Sequence, residues 1–403
     1  MIENRVRYLI YATAFLRAVT TSASGILIGV FLARQGIAGP AFGAIVGAGL
    51  FAAALAALIA TFRADRLGRR RFLIAVAALS GLGTLAFAFG SNPFALALAA
   101  FVGMLNGMGR DRGAALILEQ ALLPATTAPE NRTRVIAGYT MLQDLGHAAG
   151  ALLAGLPSLI EKSAAHSGAS SQRTLLAACG AISLLSVFLY TRLGPQIEAA
   201  PGTERSRLSP RSRAILVRIS ALFAVDGIGG GFLTSALLSF FFFERFGASE
   251  GKISLLFFCA RLLNAVSHLG AAWLAARIGL VRTMVFTHIP SSLLLATVPF
   301  APSFWVAAIL FLLREGLVEM DVPTRQSYVL AVVRPEERTF ASGVTNLVRL
   351  AAWAVAPFVA GALMTVGPGG SLYLPLLVGA GLKIAYDLLL WRAFRGVPPP
   401  EEI

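Results

Sequence analysis

Residues 41–62 read AFGAIVGAGLFAAALAALIATF, a run without a charged side chain that is followed at once by Arg63 and a strongly basic loop. As an α-helix this run extends over ~33 Å, enough to cross the ~30 Å hydrocarbon core of a bilayer. Apolar stretches of similar length recur along the whole chain. We predict twelve membrane-spanning helices near residues 8–32, 41–62, 72–90, 94–119, 134–158, 173–192, 214–242, 252–275, 283–300, 303–325, 340–365 and 371–391. The sequence therefore predicts an all-α membrane protein.

The composition agrees with a chain that is surrounded by lipid. Hydrophobic residues make up 57% of the 403 residues and charged residues 13%, against ~25% charged residues in an ordinary soluble domain. The first span begins within ten residues of Met1 and lacks a small-residue cleavage site, so we expect it to be retained. Cys179 and Cys259 lie inside spans without partners at ligand spacing. We assign both to packing and predict no metal and no cofactor.

The net charge of +14 resides in the loops, because the spans hold nearly equal numbers of acids and bases. Alternate loops of a twelve-span chain face the same side, and the side that holds both termini carries about four times as many bases as the other. The positive-inside rule then places both termini and the central segment 193–213 in the cytoplasm of a cell-membrane protein. Binding of nucleic acid is not implied.

The two halves of the sequence repeat one another. A slide of 211 residues superposes Arg66 on Arg277 and Gly68 on Gly279. A slide of 206 residues superposes the segment 129–133 on 335–339. The repeat predicts an N-terminal six-helix bundle over 1–192, a cytoplasmic linker over 193–213 and a C-terminal six-helix bundle over 214–403. Two similar halves of this kind can rock about a site between them.

The loop after the second span carries a recognisable motif. It reads Ala64-Asp65-Arg66-Leu67-Gly68-Arg69-Arg70-Arg71 and resembles the G-x-x-x-D-R-x-G-R-R signature of the major facilitator superfamily. Thr61 replaces the leading glycine, and Ala276 replaces the aspartate in the second copy. The resemblance covers the chain and implies two pseudo-symmetric bundles, with Asp65 bracing one state against a helix start in the other half. It assigns gating to Asp65, Arg66 and Gly68.

Charges inside a membrane are costly, so those in the spans are candidates for function. The resemblance implies that the first, fourth, seventh and tenth spans line a central cavity. The charged residues on these spans that we propose as substrate-binding candidates are Arg17, Arg110, Arg112, Asp226 and Arg314. A helical stripe of Arg314, Val318, Asp321 and Arg325 approaches the cytoplasmic end, as does Glu119. We assign Glu119, Asp321 and Arg325 to gating.

Two carboxylates are candidates for proton coupling, Asp226 and Asp144. Asp226 has no base within a turn of its own helix, whereas Asp144 has His147 three residues on. The alternative for Asp226 is a static ion pair with Arg17, which lies at a similar depth in the repeat. The run Gly227–Gly231 after Asp226 allows either an unwound backbone or close helix packing. For His147 and His268 a hydrogen-bonded packing role and a proton relay both stay open.

These features favour a secondary active transporter, coupled to protons, that moves a small solute by alternating access. No phosphate loop is present, and no nucleophile or metal-ligand pattern points to an enzyme. A polytopic enzyme and a sensor that does not transport are the alternatives from other classes. The mixed charges suit uptake of a polar metabolite or organic ion, whereas the many apolar positions suit efflux of an amphiphilic drug or metabolite. We expect a monomer whose partners are the bilayer, the solute and protons.

Overall fold

A computed structural model of the chain describes residues 2–111, 113–128, 131–163, 168–194, 197–198, 209–331, 333–334, 337–367 and 370–394. The first half consists of α1 (Ile2–Arg34), α2 (Gly39–Leu67), α3 (Arg69–Phe89), α4 (Pro93–Gly103), α5 (Ala114–Leu122), α6 (Arg132–Leu153), α7 (Leu156–Ser163) and α8 (Gly168–Thr191). The second half consists of α9 (Pro210–Gly231), α10 (Ser235–Phe246), α11 (Glu250–Ile278), α12 (Leu280–Thr297), α13 (Phe304–Val318), α14 (Asp321–Ala331), α15 (Arg338–Leu363) and α16 (Leu374–Phe394). No strand occurs among these residues, so the all-α prediction is confirmed.

Each of the twelve predicted spans corresponds to a helix or to a pair of helices. Nine stretches of the described chain are long and apolar enough to cross a membrane by themselves. The fourth and tenth spans are excluded because each is broken into two shorter helices, α4 and α5 or α13 and α14. The fifth span is excluded because Gln143, Asp144 and His147 make α6 more polar. Large apolar side chains such as Phe94, Val266 and Phe286 lie exposed on the outside, as expected for surfaces that face lipid.

The contacts group the chain into two compact units. Unit 1 comprises Met1–Pro201 with Thr234–Phe258, and unit 2 comprises Gly202–Leu233 with Cys259–Ile403. Helix α10 therefore belongs to unit 1, where Ser239 Oγ donates to the carbonyl of Ile26 at 2.7 Å. Helix α9, the other half of the seventh span, belongs to unit 2. The six-helix division at 193–213 stays a prediction.

The packing inside each unit repeats under the six-span offset. In unit 1, α1 packs on α6 and on α8, and α3 packs on α8. In unit 2 the equivalent pairs are α9 with α15, α9 with α16, and α12 with α16. Both units have a core of buried apolar and aromatic side chains, around Tyr139 and Tyr190 in unit 1 and around Tyr328 and Tyr386 in unit 2. These cores place the charged residues of the spans in an apolar environment.

The two copies of the signature loop share one backbone device. Gly68, between α2 and α3, has φ +89°, and Gly279, between α11 and α12, has φ +85°. Side-chain-bearing residues rarely adopt such angles, so glycine lets two long helices meet without an intervening loop. The repeat that superposes Gly68 on Gly279 thus preserves a conformation as well as a residue type.

Candidate functional site

A non-helical stretch between α4 and α5 interrupts the fourth span. Helix α4 ends at Gly103 because Met104 adopts the left-handed conformation with φ 49°. In the non-helical stretch that follows, Asn106 Nδ2 donates to the carbonyl of Arg110 at 2.6 Å, and Asn106 Oδ1 accepts from the N–H of Met108 at 3.0 Å. One asparagine side chain therefore replaces two of the backbone hydrogen bonds that the helix has lost.

This opening places Asp111 beside α1 and α6. The backbone N–H of Asp111 donates to His147 Nε2 at 2.9 Å, and Gln143 Nε2 donates to Asp111 Oδ2 at 3.1 Å. His147 is buried. An imidazole nitrogen that accepts a hydrogen bond is unprotonated, so the packing interpretation of His147 agrees with this geometry.

Arg17 on α1 joins the two acids of the fourth span. Its Nε donates to Asp111 Oδ2 at 2.6 Å, and its Nη2 donates to Glu119 Oε2 at 2.6 Å. Tyr139 donates its hydroxyl to Glu119 Oε2 at 2.7 Å, and Tyr190 donates to Oε1 at 2.6 Å. Glu119 is fully buried. We call Arg17, Asp111, Glu119, Tyr139 and Tyr190 the Arg17 cluster.

A cavity of about 80 Å³ adjoins the Arg17 cluster inside unit 1. Asp111, Tyr190, Ser80 and Ser186 are among the residues that line it. This volume holds several waters, since one water needs about 10–15 Å³ on the same measure. The guanidinium of Arg17 is already bound to two carboxylates, so this state does not offer it to an anionic solute.

Unit 2 contains a second buried charge cluster, centred on Asp226 of α9. Lys383 Nζ donates to Asp226 Oδ1 at 2.9 Å, and Arg325 Nη1 donates to Asp226 Oδ2 at 3.0 Å. Arg349 Nη2 lies 3.6 Å from the same Oδ2. Arg325 also binds Asp321 at 2.8 Å. We call Asp226, Asp321, Arg325, Arg349 and Lys383 the Asp226 cluster.

The glycines after Asp226 allow α9 to approach its neighbours closely. A methyl group added at Gly227 would lie 2.6 Å from the Ala352 side chain, and one at Gly231 would lie 2.6 Å from the Ala356 side chain. Helix α9 continues to Gly231 and ends there. These distances favour the close-packing interpretation, because a side chain at Gly227 or Gly231 would collide with α15. The helix of the seventh span is interrupted directly after this run, between α9 and α10.

The tenth span differs from the sequence prediction. Arg314, Val318, Asp321 and Arg325 do not form one continuous helical stripe, because α13 ends at Val318 and α14 begins at Asp321. The predicted pair of Asp321 and Arg325 is present. Arg314 lies apart from that pair, since its guanidinium binds the adjacent Glu315.

The remaining candidates fall in different surroundings. Arg110 is half-buried in the opened part of the fourth span, and Asp144 is exposed on α6. Arg112 lies outside the described residues. Glu119, which we assigned to gating, binds Arg17 of α1. Arg17 binds Asp111 inside unit 1, and Asp226 binds Lys383 inside unit 2.

The acid of the signature loop binds a base four residues on. Asp65 Oδ1 accepts from Arg69 Nε at 2.7 Å, and the Asp65 side chain is 61% exposed. Arg66 is exposed as well. The anion at the start of α3 is Glu198, whose Oε2 accepts from the N–H of Arg69 at 2.6 Å. A carboxylate at a helix N-terminus is favourable, and here the central segment supplies it.

Sequence reasoning missed Lys383 of the Asp226 cluster, its neighbours Asp387 and His288, and the two tyrosines of the Arg17 cluster. Lys383 and Asp387 lie four residues apart on α16, and this spacing was a usable signal. His288 on α12 lies 2.9 Å from Asp387, but no sequence motif around His288 indicates this contact. The tyrosines of the Arg17 cluster gave no signal, since a tyrosine in an apolar span is as compatible with packing as with hydrogen bonding.

The repeat relates the two clusters with their signs exchanged. The slide of 206 residues places Glu119 on Arg325, and the slide of 211 places Arg17 two residues from Asp226. Glu119 binds Arg17 between the fourth and first spans, and Arg325 binds Asp226 between the tenth and seventh. The same inter-helix ion pair thus occurs twice, with the acid and the base interchanged.

Repeated helical halves, broken spans and buried charges at mid-span define a class of polytopic solute transporters. The sequence profile of the Major Facilitator Superfamily matches residues 10–357 and, in a second and overlapping match, residues 219–403. The chain belongs to this superfamily and is a membrane transporter.

The comparisons with individual proteins agree on the fold. The chain is 25% identical over 423 residues to the uncharacterized membrane protein YJR124C of Saccharomyces cerevisiae, covering 96% of this chain and 94% of the yeast protein. A crystal structure of a mutant of the nucleoside transporter NupG superposes with a TM-score of 0.74 at 15% identity, covering 96% of this chain and all of that one. The D-xylose-proton symporter superposes with a TM-score of 0.72 at 14% identity, covering 96% and 97%. The structural likenesses establish the major facilitator fold.

Proposed function

We propose that this protein is a secondary active transporter that moves a small polar solute across the cell membrane by alternating access and uses protons as the coupling ion. The observation that carries the proposal is the pair of buried charge clusters on repeated spans. A buried ion pair is a poor source of stability compared with apolar packing. The presence of such a buried charge cluster in both units is therefore better explained by a role in transport than by a role in stability.

The chemistry of the clusters favours a solute with several hydrogen-bonding groups. The Asp226 cluster contains three bases and two acids within bonding distance of one another. A charged side chain in such a cluster can release one of its partners and bind a hydroxyl or amine of a solute instead. Two of the fold neighbours are described as a nucleoside transporter and a D-xylose-proton symporter. Polar metabolites of these two kinds are the first probes to use.

The test is uptake of radiolabelled uridine and D-xylose into proteoliposomes, with and without an imposed pH gradient. We expect one probe to accumulate only while the gradient is maintained, and a protonophore to abolish the accumulation. Accumulation that survives collapse of the gradient would exclude proton coupling. Absence of flux for a folded protein with both probes and with an organic anion would argue against transport of this solute class.

Asp226 stays our candidate for the coupling carboxylate, together with Asp144. We predict that Asp226→Asn abolishes accumulation driven by the pH gradient, because the bases that surround Asp226 lose the anion that they share. The matched control is Glu244→Gln, which neutralises an exposed acid on α10 and should leave accumulation unchanged. Full accumulation by correctly inserted Asp226→Asn protein would remove Asp226 from the coupling mechanism.

Asp65 is our candidate for gating, with Arg66, Gly68, Glu119, Asp321 and Arg325. We predict that Asp65→Asn slows transport and leaves insertion intact, because the carboxylate is largely exposed and contributes little to folding. Turnover by this variant is compared with that of Arg69→Gln, which removes the local partner of Asp65. Wild-type turnover of Asp65→Asn would show that the carboxylate braces no state.

A further inference from the structure

A histidine that the proposed function does not yet use lies beside the Asp226 cluster. His288 on α12 is 1% exposed. Its Nδ1 lies 2.9 Å from Asp387 Oδ2, and its Nε2 lies 3.3 Å from Lys383 Nζ. Lys383 also donates to Asp226 Oδ1. One ammonium group therefore bridges a carboxylate and an imidazole.

With Lys383 charged, its contact with Nε2 determines the protonation state of the imidazole. A lysine ammonium has only donors, so His288 Nε2 must accept and must be unprotonated. The hydrogen of the neutral ring is then on Nδ1, which donates to Asp387. An imidazolium has N–H groups on both nitrogens and would face the ammonium with a donor and a second positive charge. Protonation of His288 and its contact with Lys383 therefore exclude each other.

We propose that His288 is the proton acceptor whose protonation displaces Lys383 from Asp226. A proton from hydronium binds Nε2, and no other covalent bond changes. Asp387 stabilises the imidazolium through Nδ1, while like-charge repulsion moves the ammonium of Lys383 away. Asp226 Oδ1 then loses its donor and becomes an acceptor for an N–H or O–H group of the solute. This inference rests on the proposed function and names the group through which the proton would act.

The other charged groups around His288 support this outcome. Arg325 and Arg349 contact Oδ2 of Asp226, so the carboxylate keeps two positive neighbours when Lys383 leaves Oδ1. Asp321 is bound to Arg325 on α14. The ring of Tyr386 lies edge-on to the imidazole, with the centroids 6.1 Å apart, and provides no charge. Within the described residues, Lys383 is the cation in contact with His288.

The first test needs no substrate. Protein labelled with ¹⁵N-histidine is purified in detergent, and its NMR spectrum is followed as the pH is lowered. The signal that disappears in His288→Gln is assigned to His288. We expect this signal to change from a ring with one unprotonated nitrogen to an imidazolium as the pH is lowered. A ring that keeps one unprotonated nitrogen at every pH at which the protein is folded would overturn the proposal.

The second test measures flux of uridine and D-xylose against pH. In the His288→Gln variant the new side-chain amide can donate to Asp387 and accept from Lys383 but cannot take up a proton, so flux should stay at the alkaline level of the wild type. The matched control is His166→Gln, which replaces a histidine between the predicted fifth and sixth spans and should follow the wild-type profile. If wild-type flux responds to the gradient and His288→Gln responds equally, this inference fails and proton coupling stands. If wild-type flux ignores the gradient, proton coupling itself fails, and the NMR titration still decides whether His288 binds the proton.

Discussion

Glu119 accepts hydrogen bonds from four side chains. Its two oxygens receive donors from Arg17, Tyr139 and Tyr190, and also from Thr13 at 2.8 Å. We predict that Glu119→Gln lowers the free energy of unfolding by ~1–3 kcal/mol, because the amide NH2 that replaces one carboxylate oxygen cannot accept a hydrogen bond and the donors bound to that oxygen lose their acceptor. Unfolding in mixed micelles measures this change, and Glu244→Gln should shift the midpoint far less. Equal shifts in both variants would show that the cluster contributes no specific stability.

At the level of single residues, the sequence predicted which charges lie in the spans but not which charges they bind. Asp226 was correctly recognised as having no base within a turn of its own helix. Its actual partners come from α14, α15 and α16. Helical spacing describes neighbours on one helix only, so contacts between helices could not be derived from it. Glu198 was missed for the same reason, since the end of α3 that it caps is distant in sequence.

Among the elements, the junctions α2–α3 and α11–α12 carry the clearest backbone constraint. We predict that Gly68→Ala and Gly279→Ala each lower the free energy of unfolding by ~1–3 kcal/mol, because their φ angles of +89° and +85° are strained for alanine. Gly343→Ala on α15 is the control, since a methyl group there would have nothing within 4 Å. Its helical position should make it neutral or stabilising by up to ~1 kcal/mol.

The start of α9 depends on a carboxylate outside the membrane. Glu337 accepts from the backbone N–H of Ser209 and of Arg334, and hydrogen bonds from Ser212 and from these amides lower the pKa of Glu337 below its usual 4.5. Because the folded-state pKa is depressed, the stabilising contribution is present above pH 4.5 and is lost as the pH falls through the lowered value. The protection of the amides in Ser209–Ser212, measured relative to their intrinsic exchange rate at each pH, should therefore fall on acidification. In Glu337→Gln this protection should be low at all pH values.

Helix breaks were the part of the fold that the sequence predicted least well. Apolar length identified every span, but the fourth and tenth spans were expected to be continuous. Helix α4 ends where Met104 adopts a left-handed conformation, although methionine is a good helix former. Helix propensity does not explain the break, which is stabilised locally by the side chain of Asn106 and through tertiary contact by His147 of α6.

For the whole molecule, the distribution of bases in the loops predicts the orientation in the membrane. A cysteine placed at Ala199 should resist an impermeant maleimide added outside intact cells, and one placed at Lys252 should react. Both substitutions are made in a background with Cys179 and Cys259 replaced by alanine. Labelling of the Ala199 position from outside would reverse the topology, and labelling of neither position would point to a buried segment at Lys252.

The exchange of signs between the pairs Arg17–Glu119 and Asp226–Arg325 has a consequence for the history of the chain. If a duplicated ancestral gene encoded one such pair, a single codon change in either copy would have placed two like charges in an apolar interior. The intermediate sequence therefore had either two uncharged residues at this pair of positions or a neighbouring residue that supplied the missing counter-charge. Lys383 and Asp111 occupy the places that such a neighbour would need. Related chains should accordingly show correlated substitutions across these sets of three positions rather than independent drift at each.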